Sequence, residues 1–474
     1  MSVPEHRTDR TGRLGTEPMG RLLWVLSGPA ITGMLVNSAY NLVDTIYVGQ
    51  GVGTAALAAL AVCFPIQMLF LAVAQTVGIG AASIISRRLG AGEKEEAERT
   101  ASGSFVMVIA LSFALSATGL LFLDPLLRAF GAGGAVLQPA REYLSVILLG
   151  GMVFSVSVCA NSLARAEGNT RVAMSTMIAG AVANIILDPI FIFALDMGIS
   201  GAAVATVISQ GVSFAWILAY FTGGRSHLRL ARRHMVPDRR MVTDILSIGS
   251  PSFARIGAGS LLALVVNNAV MQYGGEVHLA VLGVVNRVLT LALMPLFGLV
   301  QGLQPAVGYN YGAGAYGRVL QAFRYSILSA TVLCVVMTAL FEGFPTLILS
   351  VFSSDETLLR EGAGILRVIV AAMPLIGFQI VGAGIFQALG TAGKALLLSV
   401  SRQVVFLIPL ALLLPLAMNP PLSGVWLAFP GADLLASAVT GAFYLGEVAR
   451  LRRAEGSRTV GNPAEADVFP ERGD

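Results

Sequence analysis

Three apolar stretches of this chain carry side chains able to bind a cation. In the first, Asn37, Tyr40, Asn41 and Asp44 recur at the i, i+3, i+4, i+7 spacing, so on a helix they form one polar stripe. In a later stretch Asn184 and Asp188 lie four apart on one face. Pro189 follows at once, and a proline inside a helix frees a carbonyl one turn back. In the next, Thr206, Ser209, Gln210 and Ser213 make a third stripe. Two carboxylates with amide, hydroxyl and freed carbonyl oxygens form an oxygen-only donor set. Such a set suits a hard ion such as Na+, held among Asp44, Asn184, Asp188 and Thr206. The same two acids can instead carry a proton. The competing structural reading is helix–helix hydrogen bonding with one acid permanently protonated.

The composition says what kind of element must position these stripes. Of 474 residues, 55% are hydrophobic and 12% are charged, against about 25% charged in a soluble globular domain. A soluble protein of this size could not coat its surface with so few charges, whereas lipid-facing surface needs none. The segment 105–123 is uncharged throughout, and a helix needs roughly 20 apolar residues to cross a membrane core. Twelve such runs are read at 22–48, 54–84, 100–123, 138–164, 173–195, 200–222, 243–271, 278–306, 320–343, 362–388, 395–417 and 424–448. The net charge of +4 does not point to nucleic acid, because the basic residues sit in short segments between these runs. One side holds Arg87, Arg88, Lys94, Arg99, Arg165, Arg171, the middle run from Arg225 to Arg240, Arg318, Arg324, Lys394, Arg402, Arg450, Arg452 and Arg453. The other side holds only Arg128, Arg141, Arg360 and Arg367. This bias places both termini in the cytoplasm and requires an even number of spans. Lys94 and Lys394 are the lysines of an otherwise arginine-based set, a usage that fits a GC-rich prokaryotic genome and hence a cytoplasmic (inner) membrane. Residues 1–20 are polar and lack the apolar core of a cleaved signal peptide, so the first span is the expected insertion signal. Cys63, Cys159 and Cys334 lie inside apolar runs and read as small buried hydrophobes.

A shift of 222 residues superposes the chain on itself. It brings Pro29 onto Pro251, Gly53 onto Gly275, Gly90-Ala91-Gly92 onto Gly312-Ala313-Gly314 and Gly168 onto Gly390. With one residue more, Ser200-Gly201 falls on Ser423-Gly424. Two parallel copies of a six-span unit follow, and transporters place their substrate site between such halves. The division expected is a cytoplasmic tail (1–20), an N-terminal lobe (21–222), a basic linker (223–242), a C-terminal lobe (243–450) and a second tail (451–474). The polar set is not duplicated. Asp44 maps to Val266, Asn184 to Phe406, Asp188 to Leu410 and, with the slip, Thr206 to Phe429. Carboxylates that served only the fold would need an equivalent in the second copy, so the asymmetry favours function. The second copy has charges of its own, Arg255, Arg287 and Asp433, all near mid-membrane. An intramembrane charge costs at least roughly 2.5–3.5 kcal/mol on insertion scales, so these three read as an ion-paired cluster, with coupling or substrate contact as the alternative.

Other motifs return little. The GTAGKA segment (390–395) lacks the first glycine and the final Ser/Thr of a phosphate loop, so no ATP-hydrolysing module is indicated. His6, His227, His234 and His278 form no metal pattern, and no nucleophile–base pair suggests an enzyme.

Along residues 20–450 the chain resembles the multidrug and toxic compound extrusion (MATE) transporters. The matching segments are NLVDTIYVGQ (41–50), LARAEGNTR (163–171), NIILDPIFI (184–192) and FQALGTAGKA (386–395). The resemblance implies an all-α integral membrane fold, twelve helices in two pseudo-symmetric six-helix bundles around a central cleft. It implies secondary active export of cationic, amphipathic small molecules in exchange for Na+ or H+, with no cofactor beyond that ion. It further implies a branch in which Asp44, Asn184 and Asp188, with Thr206 by position, carry the coupling. Asn37, Tyr40, Asn161 and Gln210 are then expected on the substrate-facing cleft. Where other branches carry acids in the C-terminal lobe this chain has Asn267, Asn268 and Gln379, which supports coupling in the N-terminal lobe. A monomer in the lipid bilayer is expected. Flippases for lipid-linked sugars share the broader fold, and Arg255 and Arg287 keep that alternative open.

Overall fold

The computed structural model describes residues 8–461, so His6, Arg7 and the segment 462–474 of the two tails lie outside the described residues. Among the described residues there is no strand, and ten helices are long and apolar enough to cross a membrane. One of them, Arg239–Gly312, runs for 74 residues but breaks at Gly275, where φ is 71°, and so makes two spans. Glu356–Val370 and Met373–Ala388 meet at a 50° bend and form one further, broken span. The twelve spans expected from the apolar runs are therefore present. The tenth differs from expectation in being broken: its second half starts beside Pro374, which has no N–H to continue the helical ladder.

In chain order the first six spans are Met19–Gly51, Thr54–Gly90, Lys94–Leu121, Leu137–Ala166, Thr170–Pro189 and Gly198–Thr222. The fifth continues past Pro189 as a π-helical turn, Ile190–Ala194. The seventh and eighth share Arg239–Gly312, the ninth is Tyr316–Gly343, and the twelfth is Pro421–Gly461. In the eleventh, Ala392–Val400 and Ile408–Ala417 flank a second π-helical turn, Ser401–Leu407. Before the first span lies a short helix, Thr8–Thr16, in a segment expected to be only a tail. Its Leu14 is buried in the C-terminal lobe's core, Asn310 Nδ2 donates to the Leu14 carbonyl at 2.8 Å, and Arg318 Nη2 donates to the Glu17 carbonyl at 2.7 Å.

The landmark glycines of the 222-residue register keep one backbone role in both copies. Gly53 and Gly275 have φ of 101° and 71°, and Gly168 and Gly390 have 86° and 77°, a region open at little cost only to glycine. Gly90 and Gly312 serve close approach instead. A Cβ on Gly90 would run into the Tyr309 carbonyl oxygen, and one on Gly312 into the Arg87 carbonyl oxygen. The shift that maps Gly90 to Gly312 also maps Arg87 to Tyr309, so the copies make one contact twice. Further along this seam, Gly249 is closed by the Thr76 carbonyl, Gly80 by that of Ile245, and Gly302 by Ser27. The Ser83 hydroxyl adds a hydrogen bond to the Gln387 carbonyl at 2.7 Å. The lobes thus meet backbone to backbone over the half of the bundle that carries the basic linker.

Apolar packing distinguishes the lobes. Buried apolar residues of the C-terminal lobe form one continuous cluster, from Val266 through Phe323 and Ile385 to Phe429. Leu22, Leu23 and Leu26 of the first span join this cluster, while the other clustered residues of the N-terminal lobe fall into two. One, around Phe70, Leu144 and Ile192, lies away from the linker; the other, around Ile85, Leu163 and Phe221, lies next to it.

The linker itself is anchored by Glu167 of the LARAEGNTR segment. Its carboxylate accepts from the Tyr220 hydroxyl, from the Ser226 hydroxyl at 2.9 Å, and from the backbone N–H groups of His227 and Leu228 at 2.8 and 3.3 Å. Burial pushes the Glu167 carboxyl up from its ordinary value, and these four hydrogen bonds oppose the rise. In Glu167→Gln the amide NH2 must face donors rather than accept from them. Hydrogen bonds to charged groups contribute about 1.5–3 kcal/mol each, so the variant is expected to lose roughly 2–4 kcal/mol of linker docking. Trypsin should then cut at Arg225 and Arg229 at least tenfold faster than in the parent protein; an unchanged cleavage rate would remove Glu167 from this role.

Candidate functional site

Between the lobes lies a cavity of about 1030 Å³, lined by residues of both. The first span reaches it with the stripe read from the sequence: Asn37, Tyr40, Asn41 and Asp44 all stand on its wall. The helix runs unbroken through Pro29 from Met19 to Gly51, so the i, i+3, i+4, i+7 spacing keeps these side chains on one face. Asn41 Nδ2 donates to the Asn37 carbonyl at 2.7 Å. Asn184 of the fifth span, Thr206 and Gln210 of the sixth and Asn161 of the fourth also line the cavity. Asn161 is fixed by the Thr176 hydroxyl, which donates to its Oδ1 at 2.8 Å.

Asp188 lies just behind this wall and is fully buried. Asn184 Nδ2 donates to its Oδ1 at 2.9 Å, a reach set by their four-residue spacing. The Asp44 and Asp188 carboxyls are close enough to act on each other. Three buried oxygens remain without a hydrogen-bond donor: Asp44 Oδ1, Asn184 Oδ1 and Asp188 Oδ2. Native proteins rarely leave such atoms unsatisfied. Among the described residues neither acid has a salt bridge. Two neighbouring carboxyls and an adjacent amide with unpartnered acceptor oxygens are suited to a proton or a small hard cation, and Asp44, Asn184 and Asp188 fit the donor set read from the sequence, while Thr206 lines the cavity.

The second copy shows what the same scaffold looks like without this chemistry. Val266 and Phe429, which replace Asp44 and Thr206, are buried in the continuous core. Phe406 and Leu410, which replace Asn184 and Asp188, pack against it. The matching positions of the second copy are thus apolar and packed, so the polar set belongs to the N-terminal lobe alone.

One expectation is corrected. Arg255, Arg287 and Asp433 do not form an ion-paired cluster. Asp433 is fully buried and pairs with Arg402, which the π-helical turn Ser401–Leu407 carries. Gln379 Nε2 donates to the Asp433 carbonyl and to the Ser437 hydroxyl, both at 2.7 Å, which joins the tenth span to the twelfth. Arg255 and Arg287 instead face the cavity. Arg165 and Arg402, counted above among the inter-span charges, also reach the cavity wall. Gln67 and Tyr143 were missed altogether. Gln67 Nε2 donates to the Tyr143 hydroxyl at 3.0 Å beside the Asp44 stripe. A glutamine and a tyrosine inside apolar runs are the signal that could have marked them.

Comparison with known proteins agrees with this architecture. The MatE family model matches the chain twice, over residues 29–190 and 251–413, with starting points separated by the same 222 residues as the internal repeat. The chain is 27% identical over 391 residues to the multidrug export protein MepA of Staphylococcus aureus, covering 82% of this chain and 86% of that protein. It is 27% identical over 438 residues to an FAD transporter of Shewanella oneidensis, covering 90% and 94%. It superposes with a TM-score of 0.89, at 29% identity, on a solved outward-facing conformation of a multidrug resistance MATE family transporter of the MOP superfamily, covering 93% and 98%. A duplicated six-span unit, a cavity between the copies and two matches to one family model lead to one conclusion: the chain belongs to the MatE family and is a membrane transporter, not an enzyme.

Proposed function

We propose that this protein is a secondary active multidrug efflux antiporter, driven by inward movement of Na+ or H+ through Asp44, Asn184, Asp188 and Thr206. The observation that carries the reading is the trio of donor-less buried oxygens of Asp44, Asn184 and Asp188 beside an inter-lobe cavity. The name of MepA, a multidrug export protein, supports export of drug-like compounds, and that of the FAD transporter supports passage of an organic molecule. Basic residues in the linker and at the ends of neighbouring spans support a cytoplasmic linker and cytoplasmic termini in an inner membrane. On that orientation the glycine seam closes the cytoplasmic side, as an outward-facing arrangement requires. The first span connects the two events, because it carries Asp44 and also Ser27 and Ile31, against which Gly302 and Gly298 of the other lobe close. Occupancy at Asp44 changes the setting of that helix, and the seam opens or closes with it. Coupling requires that ion and substrate each prefer a different lobe arrangement.

The test is efflux of a fluorescent monocation such as ethidium from proteoliposomes, under an imposed Na+ gradient in one arm and an imposed pH gradient in the other. One gradient should accelerate efflux at least tenfold over vesicles with neither. Equal rates in all arms would remove the antiport reading.

A further inference from the structure

The charge on the cavity wall is distributed unevenly. Its only carboxylate among the lining residues is Asp44, whereas four arginines reach it: Arg165, Arg255, Arg287 and Arg402. Arg402 is neutralised by Asp433. The other three have no carboxylate partner among the described residues. Arg165 Nη2 donates to the Ser162 hydroxyl at 2.8 Å near the linker end. Arg255 is held in place without being neutralised. Its Nη2 donates to Gln75 Oε1 at 3.2 Å, and its guanidinium lies 5.4 Å from the centre of the Phe297 ring. Arg287, one helix further on, is exposed to the cavity and makes no described hydrogen bond or ion pair. Retaining unpaired charge at this depth is costly unless something compensates it. A guanidinium is a planar fork of N–H donors, matched in shape and charge to a carboxylate or a phosphate.

We propose that Arg287, exposed and unpaired on the C-terminal lobe's wall, forms an oxyanion subsite, with Arg255, about 12 Å away along the helix axes at 1.5 Å per residue, adding positive charge deeper in the same cleft. It takes the carboxylate or phosphate of a small amphipathic substrate whose apolar body lies against Phe297 and Met294. The role as a substrate contact rests on export through this cavity, but the binding itself needs no gradient. The subsite also explains why the second copy retains charge where it has discarded the cation-binding set. Asp44 and the arginines stand on opposite lobes, so a substrate carrying both signs of charge bridges them, whereas a simple monocation uses one wall only.

The test uses the full-length protein in nanodiscs of uncharged-overall phosphatidylcholine, with 2-naphthoate, 2-naphthyl phosphate and methyl 2-naphthoate as probes in equilibrium binding. The two anions should bind roughly ten- to hundredfold more tightly than the ester. Arg287→Gln, which breaks no described contact, should remove most of that preference and leave ester affinity unchanged. Arg287→Lys should restore part of it, because the charge returns without the fork. Equal affinities for acid and ester, or a preference that survives both Arg287→Gln and Arg255→Gln, would overturn the proposal. So would displacement of both anions by phosphatidylglycerol at a few mole per cent, which would assign the arginines to a lipid phosphate. Ethidium efflux from proteoliposomes of the same protein and variants separates the two readings, since it tests transport without any anion.

Discussion

Asp44→Asn and Asp188→Asn are each expected to reduce gradient-driven efflux to the leak of protein-free vesicles, with the protein still folded and inserted. Asparagine keeps the shape of the side chain and removes the charge, so the wall of the cavity is preserved while the ion loses its principal ligand. Asp188→Asn should also leave the Asn184 Nδ2 hydrogen bond in place, because Oδ1 remains as an acceptor. A ligand that binds two states equally shifts neither, however tightly it binds. With the carboxylate gone the ion cannot distinguish the lobe arrangements, and exchange becomes uncoupled. Ethidium binding in the absence of a gradient should change less than threefold in Asp188→Asn, whose side chain lies behind the cavity wall, which separates lost coupling from lost substrate recognition. Rates above one tenth of the parent's in both variants would place coupling elsewhere.

Gly312→Val is expected to depopulate the state with the linker end closed by about 5- to 140-fold. The side chain has nowhere to go: a Cβ there meets the Arg87 carbonyl oxygen, a backbone atom that cannot swing aside. Overpacking of this kind costs typically about 1–3 kcal/mol, and each 1.4 kcal/mol is tenfold in an equilibrium. Spin labels at positions 88 and 313, both at exposed sites on either side of the seam, would report it as a longer and broader distance distribution. An unchanged distribution would mean that the glycine contacts do not hold the lobes together. The mirror-image substitution Gly90→Val should behave alike, because it fills the same contact from the other copy.

Much of this was legible in the amino-acid order, and the physics explains which part. Apolar runs report spans because the membrane sets their length, and glycines at positive φ, such as Gly53 and Gly275, survive duplication because few other residues tolerate that backbone. Asp44, Asn184 and Asp188 stand out because a polar group in an apolar run is costly, and helical spacing alone puts each set on one face. Pairings between helices are a different matter. Whether Asp433 meets Arg287 or Arg402 depends on how each helix is rotated about its axis, and the π-helical turn Ser401–Leu407 changes that rotation without any periodic signature. The same limit hid the Gln67–Tyr143 contact, which joins the second and fourth spans. The anchoring of the linker by Glu167 needed four donors to converge from two separate segments, and no spacing rule encodes that.

The interrupted core of the N-terminal lobe has a mechanical side. Apolar packing resists deformation in proportion to how continuously it is filled, and polar layers make weaker, more exchangeable contacts. A lobe built as two apolar blocks is compliant where they part, whereas its continuous counterpart moves as a single stiff body. The molecule therefore resembles a jaw with one rigid half and one jointed half, and Asp44 and Asp188 belong to the jointed half. Occupancy by something as small as a proton or a sodium ion needs to stiffen only that half to change how the jaw bites.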